Sequence, residues 1–173
     1  MSKNFQTCMR CRRSSALKNV WVTTAYGGLA KESIHALKFG RAQSTAADIA
    51  QAMAIQLPAG LLVTHVPTAT DRVRKRGYDQ AQLMSNGIAR LLSSPAIPLL
   101  ARTGQQRQLG RGGGTRRKQM EGAFRALRPR RIHQADILLI DDVLTTGATL
   151  EAAALTLKAA GARQVYGAVF AQA

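Results

Sequence analysis

Length, composition and charge limit what this chain can be. Its 173 residues, 46% of them hydrophobic, suffice for one globular domain with a full core. No apolar run approaches the roughly 18 residues of a membrane span, and the first fifteen residues, MSKNFQTCMRCRRSS, lack the apolar stretch of a signal peptide. These features exclude a membrane-spanning protein and predict a cytoplasmic one.

The charge balance indicates anionic ligands. Twenty-five Lys and Arg against nine Asp and Glu give a formal net charge of +16. Such an excess is typical of proteins that bind phosphate groups, nucleic acid or anionic lipid, and it does not choose among them. Single-stranded or double-stranded DNA is therefore one candidate partner.

The N-terminal segment, residues 1–19, carries both cysteines of the chain. Cys8 and Cys11 have the C-x2-C spacing of half a zinc site, whereas tetrahedral zinc needs four ligands. Two cysteines also exclude a disulfide framework. Three interpretations stay open: a second chain supplies the other half of a zinc site, as in a homodimer; the pair is a remnant; or it is a redox pair.

Strand and helix patterns alternate from residue 20 onward, as one domain over 20–173. Apolar or β-branched runs predict strands at 20–26, 60–67, 97–102, 135–140 and 164–171. Helical spacing of apolar residues predicts helices at 29–39, 41–57, 78–92 and 149–161. Residues 68–77 are predicted as a basic loop, and 123–127 as a return to the sheet. The alternation predicts an α/β fold with a mainly parallel sheet flanked by helices.

A glycine-rich basic stretch interrupts this alternation. Residues 103–119, TGQQRQLGRGGGTRRKQ, hold five glycines and a single large aliphatic residue, Leu109. Such a stretch cannot build a core, which predicts a mobile loop at about 102–119. The loop either closes over an anionic ligand or stays a solvated loop. The cations expected to make the closure are Arg102, Arg116, Arg117 and Lys118.

Two adjacent aspartates follow the most apolar run, in ILLIDDVLTTGATL. Asp141 and Asp142 are expected at the carboxyl edge of the sheet, where open α/β proteins bind ligands. Their mutual repulsion is explained by hydrogen bonds from two ribose hydroxyls or by a divalent cation. Residues 145–149, TTGAT, combine a glycine turn, a helix N-terminus and three threonine hydroxyls, which suit a phosphate. The alternative is an ordinary acidic turn with threonine caps.

This stretch resembles the phosphoribosyl pyrophosphate (PRPP) motif of type I phosphoribosyltransferases. The resemblance implies the fold of those enzymes, with Mg²⁺ bound alongside PRPP. It also implies that Asp141 and Asp142 are the catalytic carboxylates, which hold the ribose hydroxyls and contact the metal. The remaining PRPP-binding residues that it implies are Val143, Leu144, Thr145, Thr146, Gly147, Ala148 and Thr149.

Three further pieces resemble the ComF family: ALKFGR at 36–41, HVP followed by RKRGYDQAQ, and GAF at 122–124. This resemblance implies a small N-terminal hood with a cysteine ribbon, and a link to DNA uptake in natural competence. Arg and Lys beside the PTATD segment suit a pyrophosphate; the alternative is a set of solvated helix ends. The expected pyrophosphate-binding residues are Lys38, Pro67, Thr68, Arg76 and Gly77.

The sequence departs from the ComF pattern at three places. The ribbon brings two cysteines instead of four, so zinc at Cys8 and Cys11 would need another source of ligands. Asp79 replaces the family's asparagine and adds a negative charge near the expected anion site. The basic loop is longer and richer in glycine than the family's tighter segment.

Two functions are compatible with these features. The first is an enzyme that transfers a phosphoribosyl group from PRPP to an acceptor, with Mg²⁺, in nucleotide metabolism or DNA uptake. The second is a non-catalytic protein that senses PRPP or another ribose 5-phosphate-containing nucleotide, or binds DNA. A protein that only contacts other proteins would do neither. No residue of the sequence specifies the acceptor.

Overall fold

The structure, a computed structural model, describes residues 15–39, 43–103 and 122–173. Its strands are β1 (Val20–Ala25), β2 (Leu62–His65), β3 (Leu100–Arg102), β4 (Phe124–Ala126), β5 (Asp136–Leu144) and β6 (Gln164–Gln172). Its helices are α1 (Gly28–Phe39), α2 (Thr45–Ala54), α3 (Thr70–Arg76), α4 (Gln80–Leu91), α5 (Pro129–Ile132) and α6 (Ala148–Ala159). The predictions that lie outside the described residues concern Cys8, Cys11, Arg116, Arg117 and Lys118.

A four-stranded parallel sheet, in the order β1-β6-β5-β2, forms the centre of the fold. Ile137–Ile140 of β5 are fully buried because helices cover both faces of the sheet. Ile137 and Leu139 pack with α6 on one face, and Leu138 and Ile140 pack with α1, α2 and α4 on the other. Burial on both faces accounts for the continuous apolar run. The predicted α/β fold with a mainly parallel sheet is confirmed.

The central strand is longer than the sequence predicts. Its apolar run ends at Ile140, but β5 continues to Leu144 because β6 continues to pair with it, as far as Leu144 with Gln172. Asp141 and Asp142 therefore lie within a strand and not beyond its end. Since side chains of a strand alternate between its two faces, the two carboxylates leave the backbone in different directions.

The second short sheet differs from the prediction for residues 123–127. This segment was expected to return to the main sheet, but β4 pairs with β3 in an antiparallel pair. The edge beside β2 is already occupied by residues 95–97, which exchange backbone hydrogen bonds with Val63 at 2.9 and 3.0 Å. The prediction was wrong because β4 pairs with β3 in a separate two-stranded sheet.

The prediction of a basic loop at 68–77 was also wrong, since Thr70–Arg76 form α3. The Ala69 carbonyl accepts hydrogen bonds from the N–H groups of Arg72 and Val73, which starts the helix. Gly77 ends it in the left-handed conformation, with φ of 85°. Arg and Lys are good helix formers, and their charge alone does not indicate a loop.

Two further features concern the predicted N-terminal segment and the predicted absence of a membrane span. The segment 1–19 is described only from Ser15, where Ser15 and Ala16 donate hydrogen bonds to the Glu151 carboxylate at the start of α6. No helix of the described residues is long and apolar enough to cross a membrane.

Candidate functional site

Asp142 lies at the centre of a buried polar network. It is 7% exposed, and its Oδ2 accepts a hydrogen bond from Gln80 Nε2 at 3.1 Å. The same oxygen forms an ion pair with Lys38 Nζ at 2.7 Å. The network joins the central strand to the end of α1 and the start of α4, so three elements fix one carboxylate.

Asp141 has a different environment. Burial, and then repulsion from Asp142, raise the pKa of Asp141 to about 7. The N–H of Asp142, which donates to Asp141 Oδ1 at 2.8 Å, and the charges of Lys38 and Arg102 counteract this rise. At neutral pH the Asp141 carboxyl is therefore partly protonated. A ligand that supplies hydroxyl donors or a cation would favour its charged form.

The turn after β5 presents hydrogen-bond donors to solvent. Gly147 has φ of 74°, which favours glycine, and it directly precedes α6. Thr145 and Thr146 are exposed, and the first-turn N–H groups of α6 have no earlier helical carbonyl to pair with. An N–H set at a helix N-terminus beside hydroxyl groups suits a phosphate, as the sequence indicated.

A basic cavity lies next to this strand end. It has a volume of about 580 Å³ and is lined by Lys38, Phe39, Arg72, Lys75, Arg76 and Tyr78. The spacing of three and four residues along α3 places its three cations on one face of the helix. The structure thus brings together Lys38 and Arg76, which the sequence had assigned to a pyrophosphate.

Packing around the cavity holds these cations in place. The Arg76 guanidinium lies over the Phe39 ring, 5.3 Å from its centroid, and Arg76 Nη1 donates to Gln80 Oε1 at 2.9 Å. The Tyr78 hydroxyl donates to the Leu37 carbonyl at 2.5 Å, which ties the end of α1 to the start of α4. Gly77 contributes its left-handed conformation, and a Cβ there would meet no atom within 4 Å.

Asp79 explains one departure from the ComF pattern. Its carboxylate caps α4 by accepting from the N–H groups of Ala81 and Gln82, at 3.0 and 3.4 Å. It also accepts from the N–H and the hydroxyl of Thr68, at 2.7 and 3.0 Å. Both donors of Thr68 are engaged, so a pyrophosphate would have to displace Asp79 to bind them.

Arg102 lies where the predicted strand at 97–102 meets the loop predicted at about 102–119. The structure places it in the strand, as the last residue of β3. Its Nε donates to the Pro67 carbonyl at 3.0 Å, and its guanidinium lies 5.0 Å from the centroid of the Phe124 ring. Burial lowers the pKa of Arg102, while the charge of Asp141 opposes that shift. Arg102 is therefore a fixed cation near the acidic pair.

Sequence reasoning missed three residues of this site. Arg72 and Lys75 were placed in a loop, although their spacing with Arg76 and the glycine that follows is that of a short helix. For Gln80 the sequence predicts only a place in a helix. Its bond to Asp142 joins positions 62 residues apart, and no local pattern reveals such a contact.

The chain is similar to known proteins in sequence and in fold. The model of the phosphoribosyl transferase domain family matches residues 43–173. The chain is 29% identical over 114 residues to Competence protein F of Haemophilus influenzae, in a match that covers 64% of this chain and 49% of that protein. The chain therefore spans about half the length of this curated relative. This match confirms the resemblance to the ComF family.

Two solved structures share the fold. The allosteric regulatory enzyme of purine biosynthesis has a TM-score of 0.56 at 18% identity. Glutamine PRPP amidotransferase from B. subtilis, in complex with ADP and GMP, has a TM-score of 0.57 at 17% identity. Each match covers 79% of this chain and 30% of the other. These likenesses confirm the predicted fold.

Proposed function

Because the chain belongs to the phosphoribosyl transferase domain family, we propose that it binds PRPP and transfers the phosphoribosyl group to an acceptor. The 5-phosphate lies on the turn at 145–149 and the ribose hydroxyls lie on Asp141 and Asp142. The pyrophosphate lies in the basic cavity. The similarity to Competence protein F supports a role in DNA uptake as the biological setting of this activity.

The observation that carries the proposal is the ion pair between Lys38 and Asp142, at 2.7 Å. Lys38 also lines the basic cavity, so one side chain reaches both the acidic pair and the cations. PRPP carries phosphate, ribose and pyrophosphate in this order. The chain offers the donors of the turn at 145–149, then the two carboxylates, then the cations of the cavity. The carboxylates and the cations are in direct contact through Lys38 and Asp142.

The transfer demands little proton chemistry from the protein. The bond between ribose C1 and the pyrophosphate oxygen breaks, and a bond between C1 and the acceptor nucleophile forms; the acceptor's proton passes to solvent or to the departing pyrophosphate. Charge develops on the leaving pyrophosphate, where Lys38 and Arg76 stabilise it. Asp141 and Asp142 hold the ribose in place while C1 becomes positive.

The residues present fit Mg²⁺ supplied with the substrate. Among the described residues no group of three or more His, Cys, Asp and Glu is arranged to hold a metal ion. Mg²⁺ commonly binds through one or two carboxylates together with substrate phosphates, and Asp141 and Asp142 provide such oxygens. When bound, the ion would neutralise charge on the leaving group.

An acceptor screen tests the enzymatic part of the proposal. Purified protein is incubated with PRPP, Mg²⁺ and a panel of purine and pyrimidine bases, aromatic acids and amines, and released pyrophosphate is measured. We expect acceptor-dependent release that disappears in Asp142→Ala. Binding of PRPP without release for any acceptor would support a sensor and contradict the transferase.

A second candidate function is DNA binding by the basic surface. Arg72, Arg74 and Lys75 of α3 are exposed, as are Arg130 and Arg131 of α5, and such cations bind a phosphate backbone without sequence preference. This function predicts binding that weakens steeply with salt. Because the acidic pair takes no part in it, binding should survive loss of Asp141 and Asp142.

A further inference from the structure

Gln80 uses both ends of its side-chain amide although it is only 6% exposed. Its Nε2 donates to Asp142 Oδ2 at 3.1 Å, and its Oε1 accepts from Arg76 Nη1 at 2.9 Å. A guanidinium only donates and a carboxylate only accepts, so the orientation of the amide is determined by its partners. One buried amide thus joins the basic cavity to the acidic pair.

The two donors to Asp142 Oδ2 differ in what else they can reach. Lys38 has a side chain that is 23% exposed and lines the cavity, where an anion competes with Asp142 for its charge. Gln80 approaches from the buried start of α4 and does not line the cavity. An anion in the cavity therefore weakens the Lys38 bond to Asp142 and leaves the Gln80 bond in place.

Arg76 can serve the anion and Gln80 together. Its guanidinium has five N–H donors in a fixed plane, and one nitrogen is engaged by Gln80. The remaining donors are available to phosphate oxygens, as in other Arg–phosphate contacts. An anion that binds Arg76 keeps the Arg76–Gln80–Asp142 chain of hydrogen bonds intact.

We infer that Gln80 is a positioning residue that keeps the Asp142 carboxylate aligned for ribose hydroxyls when an anion in the basic cavity draws Lys38 away. The inference rests on the proposed function, because it assigns the ribose to Asp142 and the pyrophosphate to the cavity. Without Gln80, binding of the anion leaves a buried carboxylate without a side-chain donor, and such a group is costly and free to rotate.

The test measures how one half of the substrate affects binding of the other. The affinity for ribose 5-phosphate is measured by titration calorimetry without pyrophosphate and with saturating inorganic pyrophosphate. The quantity of interest is the affinity with pyrophosphate divided by the affinity without it. This ratio is compared between the wild type and Gln80→Met, in which the methionine side chain has a shape similar to that of glutamine. Repulsion between the two anions is the same in both proteins and cancels in this comparison.

Gln82→Met is the matched control, since Gln82 lies on the same helix with an exposed side chain. We expect the ratio to fall at least about fivefold in Gln80→Met and to stay within about twofold of the wild type in Gln82→Met. A purely structural role of Gln80 would lower both affinities alike and leave the ratio unchanged. An unchanged ratio overturns the inference while leaving the proposed function intact.

A second variant protects the test against misfolding. Gln80→Glu keeps the shape and still accepts from Arg76, but it sets a second carboxylate against Asp142. If Gln80→Met does not fold, Gln80→Glu should show the same fall in the ratio. A ratio in Gln80→Glu equal to that of the wild type overturns the inference. Failure of the wild type to bind either probe would instead overturn the proposed function itself.

Discussion

The acidic pair and the basic cavity hold opposite charges in opposite surroundings. Asp141 and Asp142 lie on the central strand, where burial and repulsion raise the pKa of Asp141 to about 7. The cations of α3 lie on a short helix at the surface, with Arg72 and Lys75 exposed. Exposed charges attract an anion from solution and are screened by salt, whereas buried charges depend on a few fixed partners. Selectivity for ribose is therefore expected from the acidic pair, and attraction for phosphate from the cavity.

The largest expected effect comes from removing the buried carboxylate. Asp142→Ala leaves Lys38 and Gln80 without their shared acceptor, and it removes a charged partner of the ribose. We expect affinity for ribose 5-phosphate to fall on the order of 100-fold, as for the loss of a charged hydrogen bond or two. Titration calorimetry measures this change.

Asp136→Ala is the control for that variant. Asp136 lies at the other end of β5 and pairs with the exposed Arg163 at 2.5 Å. Such a surface pair contributes little to stability, so binding should match the wild type. Equal losses of affinity in the two variants would mean that β5, and not the acidic pair, is being disturbed.

The second effect is a pH dependence of the folding stability that comes from Asp141. Because the pKa of Asp141 in the folded protein is about 7, above its ordinary value in the unfolded chain, the proton stabilises the fold. This stabilisation is complete below about pH 4 and is lost as pH rises through 7. Asp141→Asn removes the titration.

Urea unfolding at pH 5 and pH 8 measures this difference. From pH 5 to pH 8 the wild type should lose at least about 1.4 kcal/mol of unfolding free energy relative to Asp141→Asn, the equivalent of one pKa unit. Other titrating groups are common to both proteins and cancel. Parallel changes in the two proteins would show that Asp141 titrates near its ordinary pKa.

The smallest effect concerns the cations of the basic cavity. Arg76→Met removes a guanidinium from the cavity, and we expect pyrophosphate to bind about tenfold more weakly. Arg74→Met is the control because Arg74 lies on the same helix but does not line the cavity. The difference between the two variants should shrink at high salt. An equal loss in both would indicate a general effect of net charge and not a defined site.

The two regions also differ in how far the sequence reveals them. The acidic pair and its turn are contiguous, so apolar run, carboxylates and threonines are visible together, and the predicted α/β fold follows from the same alternation. The cavity combines Lys38 and Phe39 with Arg72, Lys75, Arg76 and Tyr78, and only the fold brings these together. The sequence predicts a loop for α3 because the segment is rich in charged residues. The contact of Gln80 with Asp142 depends on how α4 packs on β5. The placement of Arg102 depends on its pairing with Phe124, which no local pattern indicates.

The most direct test of the central claim is titration calorimetry of the protein with PRPP and Mg²⁺, beside a variant that carries both Asp141→Asn and Asp142→Asn. The two substitutions conserve shape, remove the negative charge and replace one acceptor oxygen of each side chain by an NH2 donor. We expect the wild type to bind PRPP, and the double variant to show no measurable binding while unfolding at the same or higher temperature. Equal binding by both proteins would contradict the assignment of the ribose to the acidic pair, and absence of binding by the wild type would contradict the PRPP site as a whole.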